Sequence, residues 1–303
     1  MLENQTQVTE FVLLGFPQER PFLFLIFLAI YLVTVLGNAA ILALIFLDPR
    51  LHSPMYFFLS HLSCLDICYS SVTVPKLLAN TVHLQATISY QGCLAQMFFL
   101  MACAGAECAL LAVMAYDRYA AICRPLHYAR AMRWGVCVAA AAGCWLWGLL
   151  DSAVHTFLAS RLSFCGAARL RHIFCDVPPL LRLACSNVRP SEVALHAASI
   201  FVGLSPFLFV VVSYLRILAA VLRMPMAGSR RKAFSTCAAH LLVVVLYFGM
   251  ANLNYNRPSA GYSPAADTLV SVLYCIIIPM LNPLIYSLRN QEVCRTRVWP
   301  PQS

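Results

Sequence analysis

The chain has 303 residues, of which 61% are hydrophobic and only 11% are charged, and its formal net charge is +9. Soluble domains carry roughly 25% charged residues, so this composition leaves too little polar surface to cover a water-soluble particle. It excludes two ordinary soluble domains and indicates an integral membrane protein.

Seven apolar segments follow one another along the chain, and each is long enough to cross a bilayer as a helix. A membrane helix needs about 20 apolar residues, whereas barrel strands are shorter and alternate apolar with polar residues. The segments do not alternate, so we expect an all-α fold, an integral membrane bundle of seven transmembrane helices. The segments are predicted at about 23–47, 55–79, 94–119, 136–158, 193–222, 234–256 and 267–288. The bundle domain then spans residues 23–290, between an N-terminal segment of residues 1–22 and a tail of residues 291–303.

The 21 arginines and lysines are divided unequally between the two ends of this bundle. If the N-terminus lies outside, 13 of them lie at the cytoplasmic end and eight at the outer end, five of the eight in the long loop after the fourth segment. Cytoplasmic ends of membrane proteins carry the excess of positive charge, so we predict an extracellular N-terminus. The same distribution explains the net charge without a nucleic-acid partner. Asn4, in the sequon Asn4-Gln5-Thr6, then lies on the side where glycosylation occurs.

Four polar residues interrupt the apolar segments at membrane depth: Asn38 in the first, Asp66 in the second, Glu107 in the third and Asn282 in the seventh. Carboxylates inside a membrane are rare and mark ion or proton sites. We interpret the four residues as one polar cluster inside the bundle, in which Asp66 and Glu107 could hold Na⁺ or share a proton. The alternative, that they hydrogen-bond neighbouring helices and never titrate, stays open. No other cofactor is expected.

The third segment ends in Met114–Tyr128, MAYDRYAAICRPLHY, which places an acid, an arginine and a tyrosine at the membrane boundary. Such charges are costly in lipid unless they pair or face protein. Asp117 can neutralise the adjacent Arg118, while Arg118 remains available to a partner that enters from the cytoplasmic side. We therefore predict a functional site at Asp117, Arg118 and Tyr119.

The fourteen cysteines divide by their side of the membrane. Ten lie in or beside membrane segments, where a small apolar packing residue is the default interpretation. Cys93, Cys165, Cys175 and Cys185 fall on the predicted outer side, and an even number in an oxidising compartment implies two disulfides. Four cysteines allow three connectivities, which this reasoning leaves open. We expect disulfides rather than a metal site that includes His172.

Long stretches of the chain resemble the olfactory receptors, a branch of the rhodopsin-like G-protein-coupled receptors. The sequence MAYDRYAAICRPLHY at the end of the third segment is one of them. The others are LHSPMYFFLSHLSCLDICYSSVTVPKLL (Leu51–Leu78), KAFSTCAAH (Lys232–His240), PMLNPLIYSLRN (Pro279–Asn290) and the N-terminal Thr9–Phe16. The resemblance covers nearly the whole chain. It departs from the family in the order Tyr247-Phe248, which is more often reversed, and in a tail that lacks an amphipathic basic helix.

The resemblance implies a switch at the cytoplasmic end of the bundle. Pro283 removes a backbone donor from the seventh helix and predicts a kink there. In the resembled family, tyrosines placed like Tyr214 and Tyr286 swing toward the arginine of the third helix on activation. The implied switch residues are therefore Tyr214, Asn282, Pro283 and Tyr286, together with Arg118.

The resemblance also implies partners, a location and a disulfide pairing. We expect an odorant receptor that activates a stimulatory heterotrimeric G protein of the olfactory type and raises cyclic AMP. The expected location is the plasma membrane in the cilia of olfactory sensory neurons, reached with accessory trafficking proteins. The implied disulfides are Cys93–Cys175 and Cys165–Cys185.

A bundle closed at its outer end by a disulfide-linked loop offers a mostly apolar pocket between its helices. No acid lies in residues 98–105 and no lysine in the seventh segment, so an ammonium ligand would lack a counter-ion and a retinal Schiff base is excluded. We expect a small, neutral, volatile organic ligand, although Arg257 near the outer rim leaves an acid ligand open. Ordinary helix packing is the alternative for each single residue. The predicted lining residues are Leu100, Met101, Ala104, Gly105, Ser199, Val202, Phe248, Ala251, Asn252, Tyr255, Val272 and Cys275.

Other membrane functions require patterns that this sequence lacks. A transporter needs repeats with interrupted helices, and the first three segments do not recur in the next three. A channel needs polar periodicity along several helices. An intramembrane hydrolase needs a nucleophile and a base at membrane depth, where Asp66 with Glu107 is the only acid pair. We therefore predict a receptor and not an enzyme.

Overall fold

A computed structural model of the chain describes residues 8–14, 21–82, 86–165, 168–223, 227–255 and 264–289. Within these residues, seven helices are long and apolar enough to cross a membrane. They confirm the predicted all-α bundle, with bounds that lie within a few residues of those expected at nearly every end. Membrane helices 1 to 7 are Pro21–Leu47, Pro54–Val82, Tyr90–Cys123, Trp134–Ser160, Arg189–Leu222, Ala227–Tyr255 and 264–289.

Membrane helix 3 lies at the centre of the bundle. Of its most apolar stretch 72% is buried, compared with 22% in helix 1 and 11% in helix 5. It packs against helices 2, 4 and 5. Helix 1, at the periphery of the bundle, instead exposes apolar side chains such as Leu36 (66%) and Phe46 (81%), which face lipid in a bilayer. Helix 3 can therefore connect a site in the outer half of the bundle with one at the cytoplasmic end.

Helices 3 and 4 approach closely because two glycines face each other. The Cα atom of Gly148 lies 3.0 Å from the position that a Cβ atom on Gly105 would occupy. A Cβ atom on Gly148 would collide with the carbonyl oxygen of Ala102 and lie 2.6 Å from the backbone nitrogen of Ala106. Small residues at such crossings let membrane helices pack backbone against backbone.

Helices 5 and 7 each contain a π-helical segment shortly before a proline. The segments are Ser199–Leu204, which precedes Pro206, and Leu273–Ile277, which precedes Pro279. A proline inside a helix lacks an N–H donor, and its ring clashes with the carbonyl of the residue four positions earlier. A wider turn at this point accommodates the ring, and such turns are frequent at functional sites.

A small sheet, which the sequence did not predict, covers the outer end of the bundle. Strand β1 (Glu10–Leu13) pairs antiparallel with β2 (Thr87–Ser89) and parallel with β3 (Arg169–Leu170). Phe11 of β1 is 1% exposed and packs edge-on against Phe164. The segment before helix 1 therefore joins the loop after helix 2 to the loop after helix 4.

Both disulfides implied by the family resemblance are present. Cys93–Cys175 joins the start of helix 3 to the loop after helix 4, with 5.3 Å between the two Cα atoms. Cys165–Cys185 closes that loop on itself. Together they hold the loop across the outer end of the bundle.

Candidate functional site

A cavity of 640 Å³ lies between membrane helices 3 to 7 in the outer half of the bundle. Its volume is in the range of small-molecule sites. The wall is mostly apolar and includes Phe207 and Phe248, whose ring centroids are 5.4 Å apart. Nine of the twelve residues predicted for the pocket line this cavity, namely Met101, Ala104, Gly105, Ser199, Val202, Phe248, Ala251, Asn252 and Tyr255.

The predicted lining is corrected at Leu100, Val272 and Cys275, which lie elsewhere. Leu100 is fully buried in the apolar core, about 100° around helix 3 from Met101. Cys275 is 1% exposed, and its Sγ atom lies 3.5 Å from the hydroxyl of Tyr69. Val272 packs against the same core. The π-helical turn of helix 7 changes the register that a regular helix would have, so Tyr274 lines the cavity instead.

Sequence reasoning missed several polar residues of the cavity, above all Asp151 of helix 4 and His196 of helix 5. The expectation that an ammonium ligand would lack a counter-ion was based on residues 98–105 of helix 3, and Asp151 contradicts it. Its Oδ1 atom lies 3.7 Å from Nε2 of His155, one turn further along helix 4. An acid inside an apolar segment was the signal that could have identified it.

A chain of hydroxyl groups ties helices 3, 6 and 7 together beside the cavity. The hydroxyl of Tyr274 donates to that of Tyr247 at 2.9 Å, and Tyr247 donates to the carbonyl oxygen of Ala104 at 2.8 Å. Tyr247 is 1% exposed, whereas Phe248 lines the cavity. The order Tyr247-Phe248 therefore directs the hydroxyl to the backbone of helix 3 and the phenyl ring to the cavity.

The four intramembrane polar residues are all buried at the centre of the bundle. The Nδ2 atom of Asn282 donates to both carboxylate oxygens of Asp66, at 3.0 and 3.1 Å, and Nδ2 of Asn38 donates to the carbonyl oxygen of Pro279 at 3.3 Å. Glu107 lies close enough to Asp66 for their charges to interact. Among the described residues, Asn38 Oδ1, Glu107 Oε1 and Asn282 Oδ1 have no hydrogen-bond partner. The centre of the bundle thus contains several oxygen atoms that lack donors.

At the cytoplasmic end, the guanidinium of Arg118 is paired with the carboxylate of Asp117. Nε of Arg118 donates to Oδ2 of Asp117 at 3.0 Å, and Nη2 contacts the same oxygen. Tyr128, in the short helix Pro125–Ala131, donates its hydroxyl to Oδ1 of Asp117 at 2.8 Å. Burial and the neighbouring Asp117 carboxylate raise the pKa of Tyr128, so its phenol remains a donor at physiological pH.

The hydroxyl of Tyr214 is paired with His240 rather than with Arg118. It lies 2.6 Å from Nδ1 of His240, so helix 5 is joined to helix 6 near the cytoplasmic end. Tyr119 packs against a small apolar cluster of the same region, which contains Ile217, Val221 and Cys237. Helices 3, 5 and 6 are therefore in contact around Arg118 in this conformation.

Pro283 lies inside helix 7, where its Cβ atom is 3.4 Å from the position of a Cβ atom on Gly37 of helix 1. A Cβ atom at Gly37 would therefore lie in ordinary van der Waals contact with this proline. The side chain of Tyr286, the glycosylation sequon at Asn4 and the tail after residue 289 lie outside the described residues.

The chain is similar to known membrane proteins over almost its full length. A family model described as olfactory receptor matches residues 27–299. The chain is 49% identical to Olfactory receptor 2A5 of Homo sapiens over 297 residues, which cover 97% of this chain and 96% of that protein. It is 47% identical to Olfactory receptor 5B21 of Mus musculus over 301 residues, which cover 98% of this chain and 94% of that protein. The chain belongs to the olfactory receptor family.

The fold of this olfactory receptor is that of a rhodopsin-like G-protein-coupled receptor. The crystal structure of squid rhodopsin matches it with a TM-score of 0.70 at 17% identity, over 92% of this chain and 85% of that chain. Family membership makes the protein a membrane receptor and not an enzyme, and it implies odorant ligands and coupling to a G protein. The cavity and the Arg118 pair lie at opposite ends of the same helices, as a receptor that signals across a membrane requires.

Proposed function

We propose that this receptor binds a small volatile odorant in the cavity between helices 3 to 7 and activates a stimulatory heterotrimeric G protein, which raises cyclic AMP. The observation that carries the proposal is the apolar cavity at one end of helices whose other end holds the paired Arg118. Apolar walls favour a ligand with an apolar body, because a buried charge is costly unless it is paired.

A ligand can shift the receptor between two conformations only if it binds one of them more tightly. Helices 5 and 6 supply much of the cavity wall, including Val202 and Ala251, so a ligand there contacts the two helices that Tyr214 and His240 join below. The π-helical turn Ser199–Leu204 lies directly on the cavity, and such turns are frequent at functional sites. We infer that a bound odorant favours a displaced helix 6.

Outward movement of helix 6 would separate His240 from Tyr214 and open the region around Arg118 to the cytoplasm. Arg118 would then leave Asp117 and contact the G protein, and Tyr214 and Tyr286 would turn toward it. The basic stretch between helices 5 and 6 would add further contacts with the partner. That stretch contains Arg223, Arg230, Arg231 and Lys232.

To test this, the receptor is expressed with an accessory trafficking protein, and its surface level is measured. Cyclic AMP is then measured after addition of alcohols, aldehydes, ketones, esters, acids and amines. Active odorants are then applied to Arg118→Ala and to a matched control, Arg50→Ala. Arg50 also lies at the cytoplasmic end, but it is 73% exposed and paired with Asp48. We expect an odorant response that Arg118→Ala abolishes and Arg50→Ala retains, at equal surface levels. An odorant response of Arg118→Ala equal to that of the wild type would contradict the proposal.

The proposed location is the plasma membrane, in the cilia of olfactory sensory neurons. Family membership and seven membrane helices support a multi-pass membrane protein, and the ciliary location extends this by analogy with the family. Immunolabelling of olfactory epithelium with an antibody against the tail tests it, and labelling confined to internal membranes would contradict it.

A second proposal concerns the centre of the bundle, where we infer that Asp66 and Glu107 hold Na⁺. Hard cations prefer oxygen ligands, and among the described residues Asn38 Oδ1, Glu107 Oε1 and Asn282 Oδ1 are buried oxygen atoms without a hydrogen-bond partner. The residues present therefore fit a monovalent cation. Positive charge there would offset the repulsion between two buried carboxylates.

Sodium binding is testable by thermal stability, because an ion that binds the folded state raises its unfolding temperature. We expect sodium chloride to stabilise the purified receptor more than choline chloride at equal ionic strength. Asp66→Asn removes this difference, whereas the control Asp48→Asn, at the exposed end of helix 1, retains it. Equal stabilisation by the two salts would exclude a sodium site.

A further inference from the structure

The carboxylate of Asp151 stands in the cavity wall without a hydrogen bond among the described residues. Its side chain is 17% exposed, and its ion-pair partner His155 is 2% exposed. The distance of 3.7 Å between His155 Nε2 and Asp151 Oδ1 is longer than a hydrogen bond, which spans about 2.7–3.2 Å. A carboxylate accepts hydrogen bonds and donates none when ionised. Asp151 is therefore the strongest available acceptor in an otherwise apolar cavity.

The other polar groups of the cavity leave few donors for a ligand. The hydroxyl of Tyr274 donates to Tyr247, and that of Tyr255 donates to the sulfur of Met101 at 3.5 Å. Both phenol hydroxyl groups thus already donate their proton within the protein. The two hydroxyl groups therefore have no free proton to donate to an acceptor group of a ligand.

His196 uses one ring nitrogen within its own helix. Its Nδ1 atom lies 2.6 Å from the carbonyl oxygen of Glu192 in the same helix. A carbonyl can only accept, so Nδ1 donates its proton to Glu192 and is not available to a ligand. Ser199 and Asn252 can both donate and accept, and they do not select between ligand types.

We propose that Asp151 is the polar anchor of the ligand site and selects compounds with an apolar body and a headgroup that donates a hydrogen bond, an alcohol or a primary amine. This rests on the proposed function only in that the ligand occupies this cavity. The bound headgroup donates a hydrogen bond to the carboxylate of Asp151, and the apolar body of the ligand packs against the wall formed by Phe207 and Phe248. Carboxylic acids are disfavoured, because a second carboxylate beside Asp151 repels the first.

The test measures ligand affinity directly, through the thermal stabilisation of the purified full-length receptor in lipid nanodiscs. The probes share one carbon chain: hexanol, hexylamine, hexanal and hexanoic acid. The variants are Asp151→Asn, which keeps the shape and loses the charge, and Asp151→Glu, which keeps the carboxylate. The matched control is Glu192→Gln, which removes a negative charge from the outer end of helix 5 outside the cavity lining.

We expect the wild type to bind hexanol and hexylamine more tightly than hexanal and hexanoic acid, by about tenfold or more. Asp151→Asn should weaken hexylamine binding by about ten- to hundredfold and hexanol binding by about tenfold, because hydrogen bonds to charged groups are the stronger ones. Asp151→Glu and Glu192→Gln should keep the preference for donor headgroups. A larger loss for hexylamine than for hexanol marks an ammonium as the favoured headgroup, and equal losses mark an alcohol.

Three results would overturn the role of Asp151. The first is wild-type binding of hexanal or hexanoic acid that equals that of hexanol and hexylamine, and the second is no binding of any probe; neither requires a variant to fold. The third is an Asp151→Asn receptor with unchanged affinities. Cyclic AMP is recorded separately, so binding without a signal contradicts the proposed function and leaves the anchor intact.

Discussion

The Nε2 atom of His172 lies 2.9 Å from the Oγ atom of Ser271, which joins the long outer loop to membrane helix 7. The hydroxyl of Ser271 donates to Oδ1 of Asn254 in helix 6 at 3.1 Å, and Nδ2 of Asn254 donates to Oδ2 of Asp176 at 3.2 Å. All four residues are buried. The hydrogen bonds thus run from the loop through helices 7 and 6 and back to the loop. They fix the outer cover to the two helices that border the cavity.

The Ser271 hydroxyl is predicted to stabilise this outer connection. Ser271→Ala leaves a nitrogen of His172 and an oxygen of Asn254 without their partner, which costs about 1–3 kcal/mol for each buried group. We expect a lower unfolding temperature for the purified receptor. Ser160→Ala is the control, because the hydroxyl of Ser160 donates only to the carbonyl oxygen of Phe157 in its own helix, at an exposed end. Equal unfolding temperatures of the two variants would contradict the role of Ser271.

Gly148 is predicted to be essential for the contact between helices 3 and 4. Gly148→Ala places a methyl group against the backbone of Ala102 and Ala106, and overpacking of this kind costs about 1–3 kcal/mol or more. We expect loss of surface expression, measured by flow cytometry of tagged receptors. Gly143→Ala, in the same helix, meets nothing within 4 Å and should be tolerated, since alanine favours a helix by about 1 kcal/mol over glycine. Similar surface levels for both variants would show that the close approach is unimportant.

Tyr128 is predicted to restrain the receptor at its cytoplasmic end. Tyr128→Phe removes the hydrogen bond to buried Asp117, an interaction with a charged group worth about 1.5–3 kcal/mol. Because Asp117 then holds the short helix Pro125–Ala131 less firmly, we expect Arg118 to leave its pair more often and basal cyclic AMP to rise. Tyr116→Phe, on a 39% exposed residue of helix 3, is the control. Basal signals that do not differ between the two variants would argue against this restraint.

Local composition predicted most of the bundle, because an apolar run of sufficient length has few alternatives to a membrane helix. Four isolated polar residues in these apolar segments likewise predicted the cluster in which Asn282 donates to Asp66. The MAYDRY sequence indicated the pairing of Asp117 with Arg118, since the two residues are adjacent. In each case the information lies in a short stretch of sequence.

Features that depend on distant partners escaped the sequence analysis. Strand β1 forms only because residues 87–89 and 169–170 come to lie beside it, and its own four residues do not show this. Asp151 lines the cavity together with residues of helices 3 and 5, and the spacing of residues within helix 4 cannot indicate such neighbours. Cys275 was misplaced because it lies in a π-helical turn that alters the register of helix 7.

The central claim is that an odorant in this cavity drives the cyclic AMP response. The most direct measurement is the concentration dependence of that response for Ala251→Phe, which narrows the cavity, and for Ala219→Phe, which adds the same ring to an exposed position of helix 5. Filling a preformed pocket excludes the ligand. We predict that, at equal surface levels, Ala251→Phe shifts the response to at least about tenfold higher odorant concentration, a loss of about 1.4 kcal/mol, while Ala219→Phe matches the wild type. Identical curves for Ala251→Phe and the wild type would contradict the account.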